Sequence, residues 1–215
     1  MATEVLHVAD RNALGDELTR AGVILRRGGL VAFPTETVYG IAVAAHLDDA
    51  VERLYRIKRR PRSRPMTLMV ADTAPVLERC PGLSATSRRL MQRFWPGPLT
   101  LVLQDAEGRW TGFRLPAHPM ARGLVREAGV PLQVPSANLS DRPPATTAEE
   151  VLAQFPCELD LVIDGGPAEA GIASTVVRVD GDQLDILREG AIGEGRLRDP
   201  FRARILFVCR GNTDR

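Results

Sequence analysis

Apolar residues recur along the chain with two periods, which predict helices alternating with short strands. Residues 12–27 form the first helical pattern, since Leu18 and Leu25 fall on one face. Residues 47–60 form a second, which Pro61 should end because the residue before a proline avoids the helical region. Further helices are predicted near 84–94, 119–128 and 146–155, and strands over 30–33, 66–70, 99–103, 112–115, 131–134, 161–164, 174–179 and 183–187. The predicted fold class is therefore α/β, with a mixed sheet rather than a strictly parallel one.

Two local signals sharpen the elements in the last third of the chain. Thr147 and Glu150 have the spacing of a capping box at the start of the helix over 146–155. Asp180, Gly181 and Asp182 separate the last two predicted strands, and this spacing is typical of a hairpin.

Composition and charge exclude several classes of protein. The 215 residues carry 28 basic and 27 acidic side chains, so any basic feature must be local. The three cysteines and three histidines form no CxxC pair or metal-ligand spacing, which disfavours a disulfide framework or a zinc site. The N-terminus lacks the pattern of a signal peptide, and no apolar run approaches a membrane span. A cytoplasmic protein with reduced thiols is expected.

The local basic feature is the stretch YRIKRRPRSRPM over residues 55–66, where six of twelve residues are Arg or Lys. One interpretation is a solvated helix end, because cations at a helix C-terminus are favoured by its dipole. The other is an anion site. Arg62 and Arg64 lie beyond the helix stop, arginine suits bidentate recognition of phosphate or carboxylate, and the stretch leads into a buried strand at whose mouth a ligand could bind.

Two polar motifs could complete such a site with hydroxyl groups. PTETVYG (34–40) and PSANLS (135–140) each follow a predicted strand, although either could be an ordinary polar turn. The sequence contains neither a Walker A loop nor GxGxxG, so a nucleotide would need side-chain cations and hydroxyls. Ser136 could also act as a nucleophile, but no GxSxG elbow surrounds it, and no pair of carboxylates in the sequence suggests an acid/base couple.

Taken in order, seven motifs resemble the YrdC family in its short, TsaC-like form: FPTETVYG, KRRP, WPGPLT, FRLP, SANLS, STVV and LREGAI. The resemblance extends from about residue 10 to about residue 192. It implies an open, twisted α/β fold with flanking helices and a positively charged concave groove. It also implies synthesis of threonylcarbamoyl-AMP and pyrophosphate from L-threonine, bicarbonate and ATP, a nucleotidyl transfer that serves the t6A37 modification of tRNA.

The same resemblance implies roles for individual residues. The residues implied in catalysis are Lys58, Arg60, Ser136 and Asn138. Those implied in ATP binding are Arg60, Arg64, Asn138, Thr146 and Arg188. Those implied in L-threonine binding are Thr35, Thr37, Arg114 and Ser174. No protein metal site is implied, and Mg²⁺ would arrive on the nucleotide.

Three residues depart from the family pattern. Arg64 stands where many members have Asn, and Met69 stands where many have a His that would face threonine. Asp141 follows SANLS where SG is familiar. Nothing in the sequence explains Asp141.

The end of the chain carries a separate signal. RILFVCRGNTDR (204–215) places Cys209 and Arg215 in a Cys-x5-Arg loop after a strand, which resembles the start of a low-molecular-weight protein tyrosine phosphatase. Asp214 occupies the position of the usual second cysteine. We expect a YrdC-like domain over 1–200 and a truncated, inactive tail over 201–215.

Two other functions compete with the synthase. The basic groove could belong to a non-catalytic module that binds double-stranded RNA or tRNA, although aromatic residues make up only 5% of the chain. A carbamoyl-transfer role in hydrogenase maturation is the third, but it involves much larger chains with zinc-finger and acylphosphatase segments. The synthase reading adds tRNA as a further partner and a downstream tRNA threonylcarbamoyl transferase.

Overall fold

The computed structural model describes residues 2–8 and 15–199. The predicted phosphatase-like tail lies outside these residues. The helices are α1 (Gly15–Arg26), α2 (Asp48–Ile57), α3 (Ala74–Arg79), α4 (Ala85–Phe94), α5 (Pro119–Ala128), α6 (Ala148–Gln154) and α7 (Glu194–Arg198). The strands are β1 (Glu4–His7), β2 (Val31–Phe33), β3 (Gly40–Ala44), β4 (Leu68–Met69), β5 (Leu99–Gln104), β6 (Trp110–Arg114), β7 (Leu132–Gln133), β8 (Leu161–Asp164), β9 (Thr175–Asp180) and β10 (Gln183–Arg188).

The mixed α/β fold predicted from the sequence is confirmed. The described strands form one ten-stranded sheet in the order β1-β8-β2-β3-β7-β4-β6-β5-β9-β10, with parallel and antiparallel neighbours. Helix α5 and strand β8 have the predicted bounds. Four elements were not predicted, namely β1, β3, α3 and α7. Strand β3 reads GIAVA and is buried throughout, so it lacks the alternation that marks a half-buried strand.

The two halves of the sheet are covered differently. In β2 and β3, alternate side chains enter two apolar clusters, one shared with α2 and α6 and the other with α1 and α5. In β5 and β9, the leucines of β5 and Val177 and Val179 of β9 pack against α4. The opposite side chains of this second half, such as Thr100, Val102 and Val176, line a cavity instead. One face of the sheet is therefore left for a ligand.

Candidate functional site

The cavity over the sheet has a volume of about 650 Å³. Alternate residues of β6, namely Trp110, Gly112 and Arg114, lie along its floor together with residues of β4, β5 and β9. The loops after β2, α2 and β7 form its rim. The sequence predicts that the cations of the basic stretch lie at the mouth of a strand. The floor of this cavity is instead a face of the sheet. Side chains alternate between the two faces along each strand, so every second one enters the cavity.

The described residues that line the cavity include four arginines and no acidic residue, so the cavity is suited to anions. Seven of the predicted site residues are among them: Thr35, Arg60, Arg64, Arg114, Ser136, Ser174 and Arg188. Burial, followed by the charges of Arg114 and Arg60, lowers the pKa of Arg188. Arg188 is therefore close enough to both Arg114 and Arg60, which are far from it in sequence, to be repelled by each.

The end of α2 positions the basic stretch. The helix stops at Ile57, earlier than Pro61, which the sequence predicted as its end. Arg59 has a left-handed φ of 50°, its backbone N–H donates to Arg56, and that of Arg60 donates to Tyr55. These two bonds and the left-handed residue form a Schellman motif. The motif turns the chain so that Lys58 points into the core, while Arg60 lines the cavity.

Lys58 is 2% exposed and joins the basic stretch to the PSANLS motif. Its Nζ donates to the backbone carbonyl oxygens of Ser136, at 2.7 Å, and Asn138, at 2.5 Å. In return, the Lys58 carbonyl accepts from the backbone N–H of Ser140. Burial and then the charge of Arg60 lower the pKa of Lys58 to about 7. Lys58 is not among the lining residues, and its contacts favour a positioning role for the 136–140 loop.

The side chains of Ser136 and Asn138 bind each other. Ser136 Oγ donates to Asn138 Oδ1 at 2.5 Å, and Asn138 Nδ2 donates to the carbonyls of Leu139 and Arg142 at 2.7 and 2.9 Å. Ser136 borders the cavity, whereas the amide of Asn138 is occupied by the loop. The structure thus brings the predicted Lys58, Ser136 and Asn138 into one hydrogen-bond network, while their roles in the reaction stay predictions.

Among the described residues, the side-chain hydrogen bonds of Arg60 at the rim go only to backbone carbonyls. Its Nε donates to the Arg64 carbonyl at 2.8 Å and its Nη2 to the Pro65 carbonyl at 3.0 Å. These bonds use part of its donor capacity and fix the plane of the guanidinium. Arg60 therefore presents an oriented positive charge whose acceptors are neutral.

Arg114 is part of a buried network with the PTETVYG motif. Its Nη2 donates to Glu36 Oε1 and to Thr37 Oγ1, both at 2.8 Å. Thr37 Oγ1 lies 2.9 Å from Thr35 Oγ1, which donates to the Val38 carbonyl at 2.7 Å. Arginine can only donate, so the hydroxyl hydrogens run from Thr37 to Thr35 to Val38. Thr37, which is not among the lining residues, is therefore a hydrogen-bond acceptor that holds Arg114, whereas Thr35 lines the cavity.

Ser174 connects the predicted threonine group to the predicted ATP group. Arg188 Nη2 donates to the Ser174 carbonyl at 2.8 Å and lies 3.2 Å from Ser174 Oγ. Ser174 Oγ in turn lies 2.8 Å from Thr100 Oγ1 on β5. The two groups therefore share one border within the cavity.

Thr146 lies outside the cavity. Its N–H and Oγ1 both donate to Glu150 Oε2, at 2.6 and 3.0 Å, and it lines a neighbouring surface pocket. Thr147 Oγ1 accepts from the Glu150 N–H, as the predicted capping box requires. Hydrogen bonds from the backbone and hydroxyl of Thr146, and a weaker one from the backbone of Thr147, lower the pKa of Glu150. The ATP role of Thr146 stays a prediction.

Two of the residues that depart from the family pattern bind each other. Arg64 Nη1 donates to Asp141 Oδ1 at 3.0 Å, which joins the loop after α2 to the loop after β7. Asp141 has a φ of 63°, a conformation that favours glycine but that Asp tolerates. The third departure, Met69, borders the cavity and is the register partner of Arg114.

Glu36 belongs to the Arg114 network but was not among the predicted site residues. It lies inside a motif from which only the hydroxyl residues were chosen, and its partner Arg114 is 78 residues away. A carboxylate between two threonines directly after a buried strand was the available signal. Thr100, now beside Ser174, gave no such signal, because alternation in β5 predicts only which face it occupies.

Within residues 2–8 and 15–199, no group of three or more His, Cys, Asp or Glu side chains comes together as a metal site. None of the helices described here is long and apolar enough to cross a membrane.

Comparison with known proteins places these features in a family. The model of the family that groups Sua5, YciO and YrdC, described as telomere recombination, matches residues 23–190. The chain is 37% identical over 196 residues to the threonylcarbamoyl-AMP synthase of Bacillus subtilis, covering 86% of this chain and 57% of that protein. It is 34% identical over 205 residues to a putative threonylcarbamoyl-AMP synthase of Mycobacterium tuberculosis, covering 91% and 94%.

The fold agrees with the family. The crystal structure of P. abyssi Sua5 complexed with L-threonine superposes on this structure with a TM-score of 0.83. The two chains are 30% identical, and the match covers 93% of this chain and 61% of that one. The chain thus spans about three fifths of the length of the Bacillus and Pyrococcus relatives. Because the family model matches most of the sequence and the fold agrees, the chain belongs to the Sua5/YciO/YrdC family, as its motifs predicted.

Proposed function

We propose that this chain is an L-threonylcarbamoyladenylate synthase, a nucleotidyltransferase that uses L-threonine, bicarbonate and ATP. The observation that carries the proposal is the cavity itself. Arg60, Arg114 and Arg188, from three separate parts of the sequence, converge with hydroxyl groups over one sheet face. The relatives named for this activity and the Sua5 crystallised with L-threonine support the same reading.

The arginines divide between two anions. Neither Arg60 nor Arg188 has a carboxylate partner among the described residues, and both donate to carbonyl or hydroxyl oxygens. Their charges are therefore left for a triphosphate. Arg114 lies on the floor of the cavity, which Thr35 and Met69 also line, and an amino-acid carboxylate would fit there. Ser174 binds Arg188 and lines the same cavity as Arg114, so the threonine amine would meet the nucleotide near this residue.

The reaction has two steps. The threonine amine combines with bicarbonate to form a carbamate and release water. A carbamate oxygen then attacks the α-phosphorus, the bond between that phosphorus and the bridging oxygen breaks, and pyrophosphate leaves. Proteins assist such transfers mainly by positioning and by neutralising charge, which fixed arginines and hydroxyls provide.

Mg²⁺ would enter on the phosphates. The lining residues supply cations and hydroxyls, which suit phosphate oxygens rather than a metal ion, so the residues fit a nucleotide that carries its own cation. The remaining partners, tRNA and a downstream tRNA threonylcarbamoyl transferase, follow from the product, since a mixed carbamate–phosphate anhydride must be passed on to an acceptor.

A second candidate is an RNA-binding module. The observation that favours it is the outer surface of the basic stretch, where Arg56, Arg59 and Arg62 are exposed. Arg62, however, pairs with Glu52, and its guanidinium lies 4.2 Å from the centroid of the Tyr55 ring. The carboxylate of Glu52 therefore balances part of this positive charge.

The test is pyrophosphate release with ATP, Mg²⁺ and bicarbonate, with and without L-threonine, together with mass spectrometry of the product. Release that depends on L-threonine, with threonylcarbamoyl-AMP as the product, supports the synthase. No release, combined with salt-dependent binding of double-stranded RNA, would favour the module.

A further inference from the structure

We propose that Glu36 is a positioning residue that fixes the guanidinium of Arg114 for the carboxylate of the amino-acid substrate. The inference rests on the proposed function, because it assumes that Arg114 receives L-threonine. It adds a residue to the site, since Glu36 is not itself among the residues that line the cavity.

The geometry of Glu36 is that of a support. One carboxylate oxygen accepts from Arg114 Nη2 at 2.8 Å, and the other lies 3.4 Å from the backbone N–H of His118, which precedes α5. The Glu36 carbonyl accepts from the backbone N–H of Ala170. Glu36 is therefore attached to three segments of the fold, and its carboxylate has little freedom to move.

The pair is buried, unlike most ion pairs on a protein surface. The side chains of Arg114 and Glu36 are 9% and 13% exposed. Burial on its own would raise the pKa of Glu36, but the charge and the hydrogen bond of Arg114 lower it overall. The carboxylate form of Glu36 is therefore favoured, and its charge is balanced by Arg114.

Arg114 keeps donor capacity for a ligand. Glu36 and Thr37 take the two hydrogens of Nη2, while Nε is buried without a hydrogen-bond partner among the described residues. A buried donor left unpaired costs free energy, so a carboxylate that entered the cavity and reached it would gain that interaction. The rotation of the guanidinium that exposes the remaining donors is set by Glu36 and Thr37.

Charge and position predict effects of opposite sign. By Coulomb's law alone, removing the negative charge of Glu36 would strengthen the binding of an anion beside Arg114. If Glu36 instead positions the guanidinium, removing its charge lets Arg114 rotate, and the amino acid binds more weakly. The sign of the change therefore separates a positioning residue from a competing counter-ion.

The experiment is calorimetric titration of the full chain with L-threonine and, separately, with Mg-ATP. Glu36→Gln should weaken L-threonine binding about tenfold, which corresponds to about 1.4 kcal/mol, and leave the Kd for ATP within about twofold. Glu78→Gln, an identical change at an exposed residue of α3, is the matched control and should change neither Kd. The thermal midpoint of each variant reports whether it is folded.

Two further variants keep the test decisive. Glu36→Asp retains the charge but withdraws the carboxylate by one methylene. A positioning role predicts weaker L-threonine binding, whereas a pure charge effect predicts unchanged L-threonine binding. In an Arg114→Lys background, Glu36→Gln should have less than about a twofold effect, because it acts through the guanidinium. Unchanged or tighter L-threonine binding by folded Glu36→Gln would overturn the inference and leave the synthase standing. No L-threonine binding by the wild type would overturn the proposed function as well.

Discussion

Arg114 and Lys58 are both buried cations, but their partners differ in charge. Arg114 has the carboxylate of Glu36, whereas Lys58 has two carbonyl oxygens and the neighbouring positive charge of Arg60. A buried ammonium without a counter-ion is disfavoured, and the pKa of Lys58 falls to about 7 as a result. Lys58 should therefore change its protonation state near neutral pH.

Lys58 offers a direct test at this scale, because it is the only lysine in the sequence. Lysine labelled with ¹³C at Cε gives one side-chain lysine signal, and its titration in the folded chain should have a midpoint near pH 7. Between about pH 7 and the ordinary value of 10.5, the unfolded chain holds a proton that the folded chain has released. The free energy of unfolding should therefore rise with pH in this window, by up to about 1.4 kcal/mol per unit.

The control for this prediction is Lys58→Met, which lacks the titrating group. The unfolding free energy of the wild type minus that of Lys58→Met should increase from pH 7 to pH 9. A Cε signal that titrates near pH 10, or a difference that stays constant with pH, would show that the two carbonyls hold the ammonium form after all.

At the scale of elements, the end of α2 decides how the basic stretch is used. The Schellman motif sends Lys58 inward and keeps Arg60 at the cavity, but it requires Arg59 to adopt a left-handed φ of 50°. Side chains other than glycine adopt this conformation at a cost of roughly 1–2 kcal/mol. The helix end is therefore strained in favour of the site's geometry.

Arg59→Gly should relieve this strain. We expect an increase of about 0.5–1 kcal/mol in the free energy of unfolding, since the steric gain is partly offset by the greater backbone entropy that glycine loses on folding. Arg59→Ala, which keeps a Cβ, is the matched control and should show no increase. Urea denaturation of the three proteins measures both values, and a glycine variant no more stable than the alanine variant would contradict the strain.

Elements with strong local signals were predicted from the sequence, and those without were not. Helix α5 and strand β8 have apolar patterns and clear boundaries, and both were predicted residue for residue. Strand β3 was missed because its five residues are all buried and show neither period. The predicted stop at Pro61 was wrong because the left-handed Arg59 ends α2 first, and no local rule places an arginine there.

At the scale of the whole molecule, most of the predicted site residues line one cavity, but the sequence did not show how that cavity is arranged. Ordered motifs indicated the family and the residues that converge, yet they could not show that the cavity covers a sheet face, since this depends on which strands are neighbours. The pairing of Arg64 with Asp141 and of Arg114 with Glu36 joins residues 77 and 78 positions apart. Such contacts depend on tertiary folding, and a single sequence carries no record of them.

The most direct test of the central claim compares cations of one short stretch that the fold places differently. Arg60 lines the cavity and Lys58 supports its rim, whereas Arg56 and Arg59 are exposed. The measurement is L-threonine-dependent pyrophosphate release for the four single alanine variants, at low and at moderate salt. Exposed charges are screened and contribute little, whereas a fixed charge aimed at a phosphate contributes far more.

Arg60→Ala removes a charge that lines the cavity, and Lys58→Ala removes the side chain that holds the 136–140 loop, so each should lower the rate by about tenfold to a thousandfold at both salt concentrations. Arg56→Ala and Arg59→Ala should leave it within about twofold of the wild type. If all four variants lose activity equally, and added salt removes the differences, the stretch is a diffuse basic patch and the cavity is not an ATP site.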